Sequence, residues 1–210
     1  MYYFCTYFDQ YYLARGLGLY RSLREHCPAF KLWVLCMDHE TYQGLEKLGL
    51  PGLHPIALPE FERHDEPLQS AKQNRSRIEY YFTCTPSLPL YVLHNWPEVD
   101  LITYLDADLF FFACPAPLFE ELGTGSIAII GHRFPPHLLQ NERYGIYNVG
   151  WLSFRRDENG LTCLHWWRER CIESCYDRAE EGSFVDQKYL DDRPSRFQNV
   201  VVLEHKGANV

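Results

Sequence analysis

Long apolar runs are missing from this 210-residue sequence, and so are dense basic runs and closely spaced cysteine pairs. No apolar stretch approaches the roughly 20 residues that a membrane-spanning helix needs. The first residues, Met1 to Phe4, lack the basic region and apolar stretch of a secretory signal peptide. These absences predict a cytoplasmic protein without a transmembrane segment, and they leave peripheral attachment to a membrane open.

The charge balance is acidic, with a formal net charge of −8 and no cluster of lysines and arginines. Nucleic-acid affinity rests mainly on neutralising phosphates with basic side chains. The sequence therefore predicts no nucleic-acid partner. A small anionic ligand stays compatible with this charge, because a bound cation reverses the local field.

Eight cysteines are present, but they are scattered and form no CxxC motif. Three of them, Cys5, Cys36 and Cys84, lie in apolar segments, and Cys171 and Cys175 lie in a predicted helix. A framework of disulfides is the alternative reading. We expect reduced, mostly buried thiols.

The hydrophobic content of 46% is enough for one sizeable core, and no repeat or linker divides the chain. The first 50 residues alternate as strand, helix, strand, helix. Further strands are predicted over 101–105, 126–130, 148–154 and 200–203, and a helix over Leu161 to Arg178. A short helix before Pro86 and another over Leu90 to His94 are also expected. This order predicts a single α/β domain over 1–210 with a mainly parallel sheet.

Two acidic residues, Asp106 and Asp108, directly follow the predicted buried strand Leu101 to Leu105. Ligands of such sheets bind outside the carboxyl ends of strands. Carboxylates separated by one residue can aim at a common hard cation, and Mg²⁺ or Mn²⁺ prefers oxygen ligands shared with phosphates. The alternative is an ordinary polar strand end.

The segment around these acids, Thr103-Tyr-Leu-Asp-Ala-Asp-Leu-Phe-Phe, resembles the DxD signature of GT-A glycosyltransferases, particularly relatives of glycosyltransferase family 8. Residues Tyr144 to Phe154 are similar to that family's Asn-x-Gly strand, and Phe184 to Leu190 resembles its Asp-Gln segment. The resemblance implies a GT-A fold and transfer of a sugar from a nucleotide diphosphate donor to an acceptor hydroxyl. It also implies help from Mn²⁺ or Mg²⁺, with UDP as the default nucleotide.

The same resemblance assigns the groups around the diphosphate. Asp106 would face the donor ribose or sugar, and Asp108 the metal and diphosphate. His205 would be the third metal ligand and Lys206 a phosphate contact, although one residue separates His205 from the next glycine where the family usually has two. A surface histidine after a strand is the alternative. Relatives continue beyond the position of Val210, so we expect a truncated or naturally short C-terminal loop.

The candidate residues on the sugar side are Asn148, Asp186 and Gln187. In the family pattern the Asp-Gln pair lies beside the reacting carbon, with the aspartate on sugar hydroxyls and the glutamine near the anomeric centre. A neutral amide suits a retaining mechanism without a strong nucleophile. The alternative for Asp186 and Gln187 is the start of a helix, where aspartate is favoured as a cap.

On the nucleoside side the candidates follow the first strand, where GT-A enzymes typically grip the base and ribose. Thr6 would read the base edge, Tyr7 or Tyr11 would stack on the base, and Asp9 would bind ribose. Packing is the alternative for the tyrosines.

Arg77 and Glu79 are further candidates, for the diphosphate and ribose. A surface ion pair between them is the alternative.

Two other functions fit parts of the sequence. A phosphatase of the haloacid dehalogenase type also carries Asp-x-Asp after a strand, but near its start and followed by threonine or valine. Here Leu109 and two phenylalanines follow, halfway along the chain. A non-catalytic module that binds nucleotide or carbohydrate is the second alternative. The acceptor stays open among a glycan, a lipid-linked sugar and a protein.

Overall fold

The computed structural model describes residues 1–177 and 185–208. Their strands form one seven-stranded sheet in the order β3-β2-β1-β4-β6-β5-β7. The strands are Tyr2–Phe8 (β1), Phe30–Cys36 (β2), Leu53–Ala57 (β3), Leu101–Leu105 (β4), Ile127–Gly131 (β5), Tyr147–Arg155 (β6) and Val200–Leu203 (β7). Strand β6 is antiparallel to β4 and β5, and the other neighbouring pairs are parallel. The predicted α/β class with a mainly parallel sheet is confirmed.

Helices cover both faces of this sheet. They are Leu13–His26 (α1), His39–Leu48 (α2), Leu58–Phe61 (α3), Glu66–Gln73 (α4), Arg77–Asn95 (α5), Ala116–Leu122 (α6), Glu158–Glu173 (α7) and Arg193–Arg196 (α8), with 3₁₀ turns at Pro136–Tyr144, Lys188–Leu190 and Lys206–Ala208. One apolar core lies under α1, α2 and α6, and the other under α5 and α7. In the described part of the chain, no helix is long and apolar enough to cross a membrane.

The predicted alternation of the first 50 residues is confirmed. Asp38 caps the start of α2 by accepting from the backbone N–H of Thr41, and Gly49 ends it with φ of 54°. Strand β3 is not among the predicted strands. It is five residues long and contains Pro55, which is tolerated because β3 lies at the edge of the sheet.

The prediction of two short helices around Pro86 is wrong, because α5 is one helix of 19 residues. A capping box formed by Ser76 and Glu79 starts it, and Cys84, Leu88 and Val92 are fully buried along it. Each buried apolar side chain contributes about 1.5–3 kcal/mol, whereas an internal proline costs about 3 kcal/mol. Burial against the sheet therefore outweighs the two prolines inside α5.

The cysteines agree with expectation. All eight are free thiols, seven are buried, and Cys114 is exposed. The prediction of reduced, mostly buried thiols is confirmed.

The turn from β6 into α7 is tightly packed. The helix predicted from Leu161 begins at Glu158 and ends at Glu173, and Arg178 lies outside the described residues. Asp157 caps it by accepting from the backbone N–H of Gly160 at 2.8 Å. A Cβ added to Gly160 would lie 2.2 Å from the carbonyl oxygen of Arg155. Only glycine fits at this position.

Gly160→Ala is expected to lower the free energy of unfolding by roughly 1–3 kcal/mol, because the added methyl group meets backbone at the end of β6. Gly44→Ala is the matched control, since open space surrounds Gly44 in the middle of α2. It should raise the free energy of unfolding by roughly 0.5–1 kcal/mol. Urea unfolding of both variants measures the difference, and a Gly160→Ala protein as stable as the parent would contradict this packing.

Candidate active site

A cleft of about 480 Å³ opens at the carboxyl ends of β1 and β4, beside the start of α5. Its lining combines aromatic rings, one arginine and three aspartates: Tyr7, Phe8, Asp9, Tyr11, Tyr12, Arg77, Ile78, Tyr81, Phe82, Tyr104, Asp106, Ala107 and Asp108. The predicted acids and the predicted nucleoside side therefore share one cavity.

Asp106 sits on the floor of this cleft. Its backbone N–H donates to the carbonyl of Gly150 at 3.1 Å, which joins the end of β4 to β6. The Tyr104 hydroxyl donates to its Oδ1 at 3.0 Å. Asn148 Oδ1 accepts from the backbone N–H of Gly150 at 2.6 Å. Because β6 runs antiparallel to β4, the predicted Asn148 lies beside the predicted Asp106, while Asp108 is exposed.

Negative charge accumulates around Asp106. The pKa of Asp106 is raised to about 6. Burial is the main cause and the charge of Asp108 adds to it, whereas the hydrogen bond from Tyr104 lowers the pKa. Burial also raises the pKa of Asp186 to about 7, the Thr85 hydroxyl lowers it, and the charge of Asp106 raises it. The charge of Asp108 thus acts on Asp106, and the charge of Asp106 acts on Asp186. Their oxygens are the donor atoms that Mn²⁺ and Mg²⁺ prefer, so the site fits a divalent cation in charge and ligand type.

Asp186 is held in place by contacts that the sequence does not reveal. Its side chain is buried and accepts from Thr85. Its backbone carbonyl accepts from Trp167 Nε1 at 2.8 Å. The preceding Val185 has φ of 44°, a strained conformation for a β-branched residue. The alternative of a helix cap does not hold, since the Asp186 carboxylate bonds to Thr85 and the next 3₁₀ turn has no side-chain cap.

Gln187 is half-buried against the connection between β5 and β6. Its Nε2 donates to the carbonyl of Tyr144 at 3.3 Å, and its side chain also hydrogen-bonds to His132. A Cβ on Gly145 would lie 2.9 Å from its Cγ. His132 was not a candidate, because no sequence motif surrounds it.

At the nucleoside end, Asp9 organises the loop after β1. It is buried and accepts from the backbone N–H groups of Tyr11 at 3.0 Å and Tyr12 at 3.2 Å. Its other oxygen pairs with Arg77 at 2.5 Å and accepts from the Tyr81 hydroxyl at 3.2 Å. The carboxylate predicted for ribose is therefore bonded within the protein.

The ion pair considered between Arg77 and Glu79 is not formed. Arg77 pairs with Asp9, and Glu79 accepts from the backbone N–H of Ser76 at 2.8 Å as part of the α5 cap. Asp9 is distant from Arg77 in sequence, and Glu79 is fixed by the α5 cap. The closeness of Arg77 and Glu79 along the chain therefore did not predict their partners.

Thr6 and Tyr7, near the end of β1, are less exposed to solvent than Tyr11. Thr6 is fully buried and does not line the cleft, so its hydroxyl is closed off from a ligand there. Tyr7 is half-buried, and its hydroxyl bonds to Thr85 at 3.2 Å. Tyr7 therefore packs against the residue that holds Asp186.

His205 lines a second, mainly apolar cavity of about 560 Å³, and Asp108 lines the same cavity. Its loop is tied down by Arg133, which donates to the His205 carbonyl at 3.2 Å, and by Glu121, which accepts from the His205 N–H at 3.2 Å. Lys206 is exposed and does not line the first cleft.

The predicted three-ligand metal shell is not assembled. Within residues 1–177 and 185–208, no group of three or more His, Cys, Asp and Glu side chains stands close enough to hold a metal ion. Asp106 and Asp108, the two predicted aspartate ligands, share the cleft floor, whereas the His205 loop lines the neighbouring cavity. The end of the same loop, Asn209 and Val210, lies outside the described residues.

Two Bacillus subtilis (strain 168) proteins match almost the whole chain. YfnF is 35% identical over 214 residues, which cover 99% of this chain and 70% of YfnF. YfnD is 31% identical over 211 residues, covering 99% of this chain and 67% of YfnD. The chain belongs to the YfnF family. Both relatives are described as uncharacterized, and no protein-family model matches the chain.

Solved structures establish the fold of this YfnF-family chain. Mouse xyloside xylosyltransferase 1 in its apo form has a TM-score of 0.62 and 15% identity, over 96% of this chain and 84% of that one. Galactosyltransferase LgtC, with donor and acceptor sugar analogues, has a TM-score of 0.60 and 15% identity, over 95% and 72%. The predicted GT-A fold is confirmed. The narrower resemblance to family 8 stays a prediction.

Asp106→Asn is expected to stabilise the metal-free protein at neutral pH. Because the folded-state pKa of Asp106 is raised to about 6, folding favours its protonated form. Its contribution to stability is therefore full at about pH 4 and is lost as the pH rises through about 6. The uncharged amide of Asp106→Asn avoids that loss. The free energy of unfolding of the variant should therefore exceed that of the parent by about 1–3 kcal/mol at about pH 8 and by little at about pH 4. Urea unfolding with a chelator measures this, and a variant destabilised equally at every pH would contradict it.

Proposed function

We propose that this chain transfers a sugar from a nucleotide diphosphate donor, by default a UDP-sugar, to an acceptor hydroxyl with the help of a divalent cation. One observation carries the proposal: Asp106 and Asp108 end β4 on the floor of a cleft that also holds exposed aromatic rings and Arg77. The GT-A fold supports the same function. The three parts of such a donor, nucleoside, diphosphate and sugar, correspond to three groups of residues.

The nucleoside end is supported by a rigid loop. The ring of Tyr11 is 77% exposed, while its backbone N–H is fixed by Asp9. The Arg77 guanidinium carbon lies 5.7 Å from the centre of that ring. A ring that is exposed but held in position is suited to stack on a base. Asp9 acts here by holding the loop and Arg77 rather than as a free ligand for ribose.

At the diphosphate, Asp106 and Asp108 would hold Mn²⁺ or Mg²⁺, which when bound offsets negative charge on the departing diphosphate. The two carboxylates differ in setting. Asp106 is anchored by Tyr104 and by the backbone of Gly150, whereas Asp108 is exposed and free to reach a cation shared with phosphate. His205 and Lys206 are proposed as the third ligand and a phosphate contact.

At the sugar, Asn148 lies beside Asp106, and Gln187 supplies a neutral carboxamide that Tyr144 and His132 hold in place. Asp186 is buried and bonded to Thr85, which does not suit a free nucleophile. We therefore propose retention, with departure of the diphosphate and attack of the acceptor on one face of the sugar. Asp186 would fix sugar hydroxyls, and Gln187 would lie near the anomeric carbon.

Asp108→Asn should abolish cation-dependent binding and turnover, lowering turnover at least about 100-fold. The matched control is Asp100→Asn, because Asp100 is also exposed but lies at the opposite end of β4. Thermal shifts with UDP, with and without Mn²⁺, report binding. Release of nucleotide diphosphate from a panel of nucleotide sugars reports turnover.

The outcomes separate the candidate functions. Equal Mn²⁺-dependent stabilisation by UDP in Asp108→Asn and the parent would refute the cation site. Tight binding without turnover, for every donor and with glycan, lipid-linked and protein acceptors, would support a non-catalytic module instead.

Tyr11→Ala should weaken nucleotide binding by about 10-fold, because stacking of a base on an aromatic ring contributes about 1–3 kcal/mol. Stability should change little, since the ring is 77% exposed. Phe112→Ala is the matched control, because Phe112 is 84% exposed and lies outside the cleft. Titration calorimetry with UDP measures both, and equal affinities for the two variants would exclude stacking on Tyr11.

A further inference from the structure

A fully buried arginine lies on the same side of the sheet as Asp186. Arg193, the first residue of α8, has no exposed surface. Its guanidinium carbon lies 4.3 Å from the ring centre of Trp167 and 5.0 Å from that of Phe154. In the described part of the chain, its Nε, Nη1 and Nη2 atoms have no hydrogen-bond partner. Arginine cannot shed its charge at ordinary pH, so an interior without acceptors must compensate it in another way.

The groups that face this cation are the two aromatic rings, the thiols of Cys163 and Cys171, and the Asp186 carboxyl group. The faces of the rings attract a cation but carry no net charge. Burial raises the pKa of both thiols, so both stay neutral. Among the described residues that act on Arg193, Asp186 is left as the group that can supply a full negative charge.

Trp167 joins the arginine to the aspartate. Its indole Nε1 donates to the backbone carbonyl of Asp186 at 2.8 Å, while its ring face lies against Arg193. Phe154 of β6 stacks on the same indole, with ring centres 6.0 Å apart. The position of Asp186 therefore depends on a packed unit of Phe154, Trp167 and Arg193.

We propose that Arg193 is the buried counter-charge of Asp186 and, with Trp167, holds Asp186 in place behind the Asp106–Asp108 cleft. Two buried like charges cannot both persist unless something opposes their repulsion. Burial, the largest effect, and the charge of Asp106 raise the pKa of Asp186 to about 7, and the charge of Arg193 opposes them. Arg193 is a positioning residue, and its consequence for sugar transfer rests on the proposed function.

A double-mutant cycle in urea tests the pairing without any need for activity. Arg193→Met removes the charge and keeps an apolar side chain, Arg193→Lys keeps the charge, and each is made with Asp186 and with Asp186→Asn. At about pH 8 the carboxylate is ionised. Arg193→Met should lower the urea midpoint by roughly 1 M when Asp186 is present, because it leaves a buried charge unpaired.

With Asp186→Asn the loss should shrink to less than half, and the difference between the Lys and Met variants should vanish. Arg196→Met is the matched control. Arg196 also lies on α8 and stacks on a tryptophan, with its guanidinium carbon 4.9 Å from the Trp166 ring, but it is exposed. The change in urea midpoint caused by Arg196→Met should be the same with Asp186 and with Asp186→Asn.

Equal losses for Arg193→Met in both backgrounds would overturn the proposal. If Arg193→Met does not fold on its own, recovery of folding by Asp186→Asn supports the pairing, and a double variant that also fails to fold overturns it.

Activity supplies a separate readout. Arg193→Met should lower kcat for nucleotide-sugar turnover at least 10-fold and leave UDP affinity within 2-fold, because Arg193 does not line the cleft. A parent protein without turnover would remove the proposed function, while the urea cycle would still decide the pairing of Arg193 with Asp186.

Discussion

Mutual repulsion among three carboxylates at one end of the sheet is the constraint around which the site is built. Burial raises the pKa of Asp106 and of Asp186; the charge of Asp108 adds to this at Asp106, and the charge of Asp106 adds to it at Asp186. Neutral hydroxyl donors oppose this, Tyr104 on Asp106 and Thr85 on Asp186, beside the proposed counter-charge of Arg193. One hydrogen bond from a neutral donor does not neutralise a buried charge. The negative charge that remains suits a cation brought in with a phosphate ligand.

The sheet topology brings these groups together. Strands β1 and β4 are parallel, so Asp9 and Asp106 leave the sheet at the same edge. Strand β6 runs the opposite way beside β4, so its beginning, with Asn148, meets the end of β4. An all-parallel sheet would carry Asn148 to the far edge. The one strand of reversed direction in the described sheet thus brings Asn148 beside Asp106.

Sequence reasoning succeeded where the signal is local. The strand before Asp106 is a short apolar run, and its bounds were predicted from composition alone. It failed where distant parts of the chain decide. Pro86 reads as a helix end until the burial of α5 is known. Arg77 pairs with Asp9, which lies 68 residues away in the sequence. The sequence around Arg193 does not indicate that its side chain packs against Trp167. Contacts of this kind follow from tertiary packing and leave no motif.

The two ends of the cleft differ in charge compensation, and under the proposed function this difference would give a donor its direction. At the proposed nucleoside end Asp9 is matched by Arg77 and by two backbone N–H groups, so that end is close to neutral. At the other end the carboxylates lack such a match among the described cleft-lining side chains. An anionic diphosphate alone would be repelled there, whereas a diphosphate carrying a divalent cation would be attracted. If a cation binds at Asp106 as proposed, it would compete with protons for the same carboxylate oxygens and would expel a proton as the pH falls towards 6. Arg193 does not line this cleft, so as the proposed counter-charge it can oppose repulsion without occupying the place of a cation.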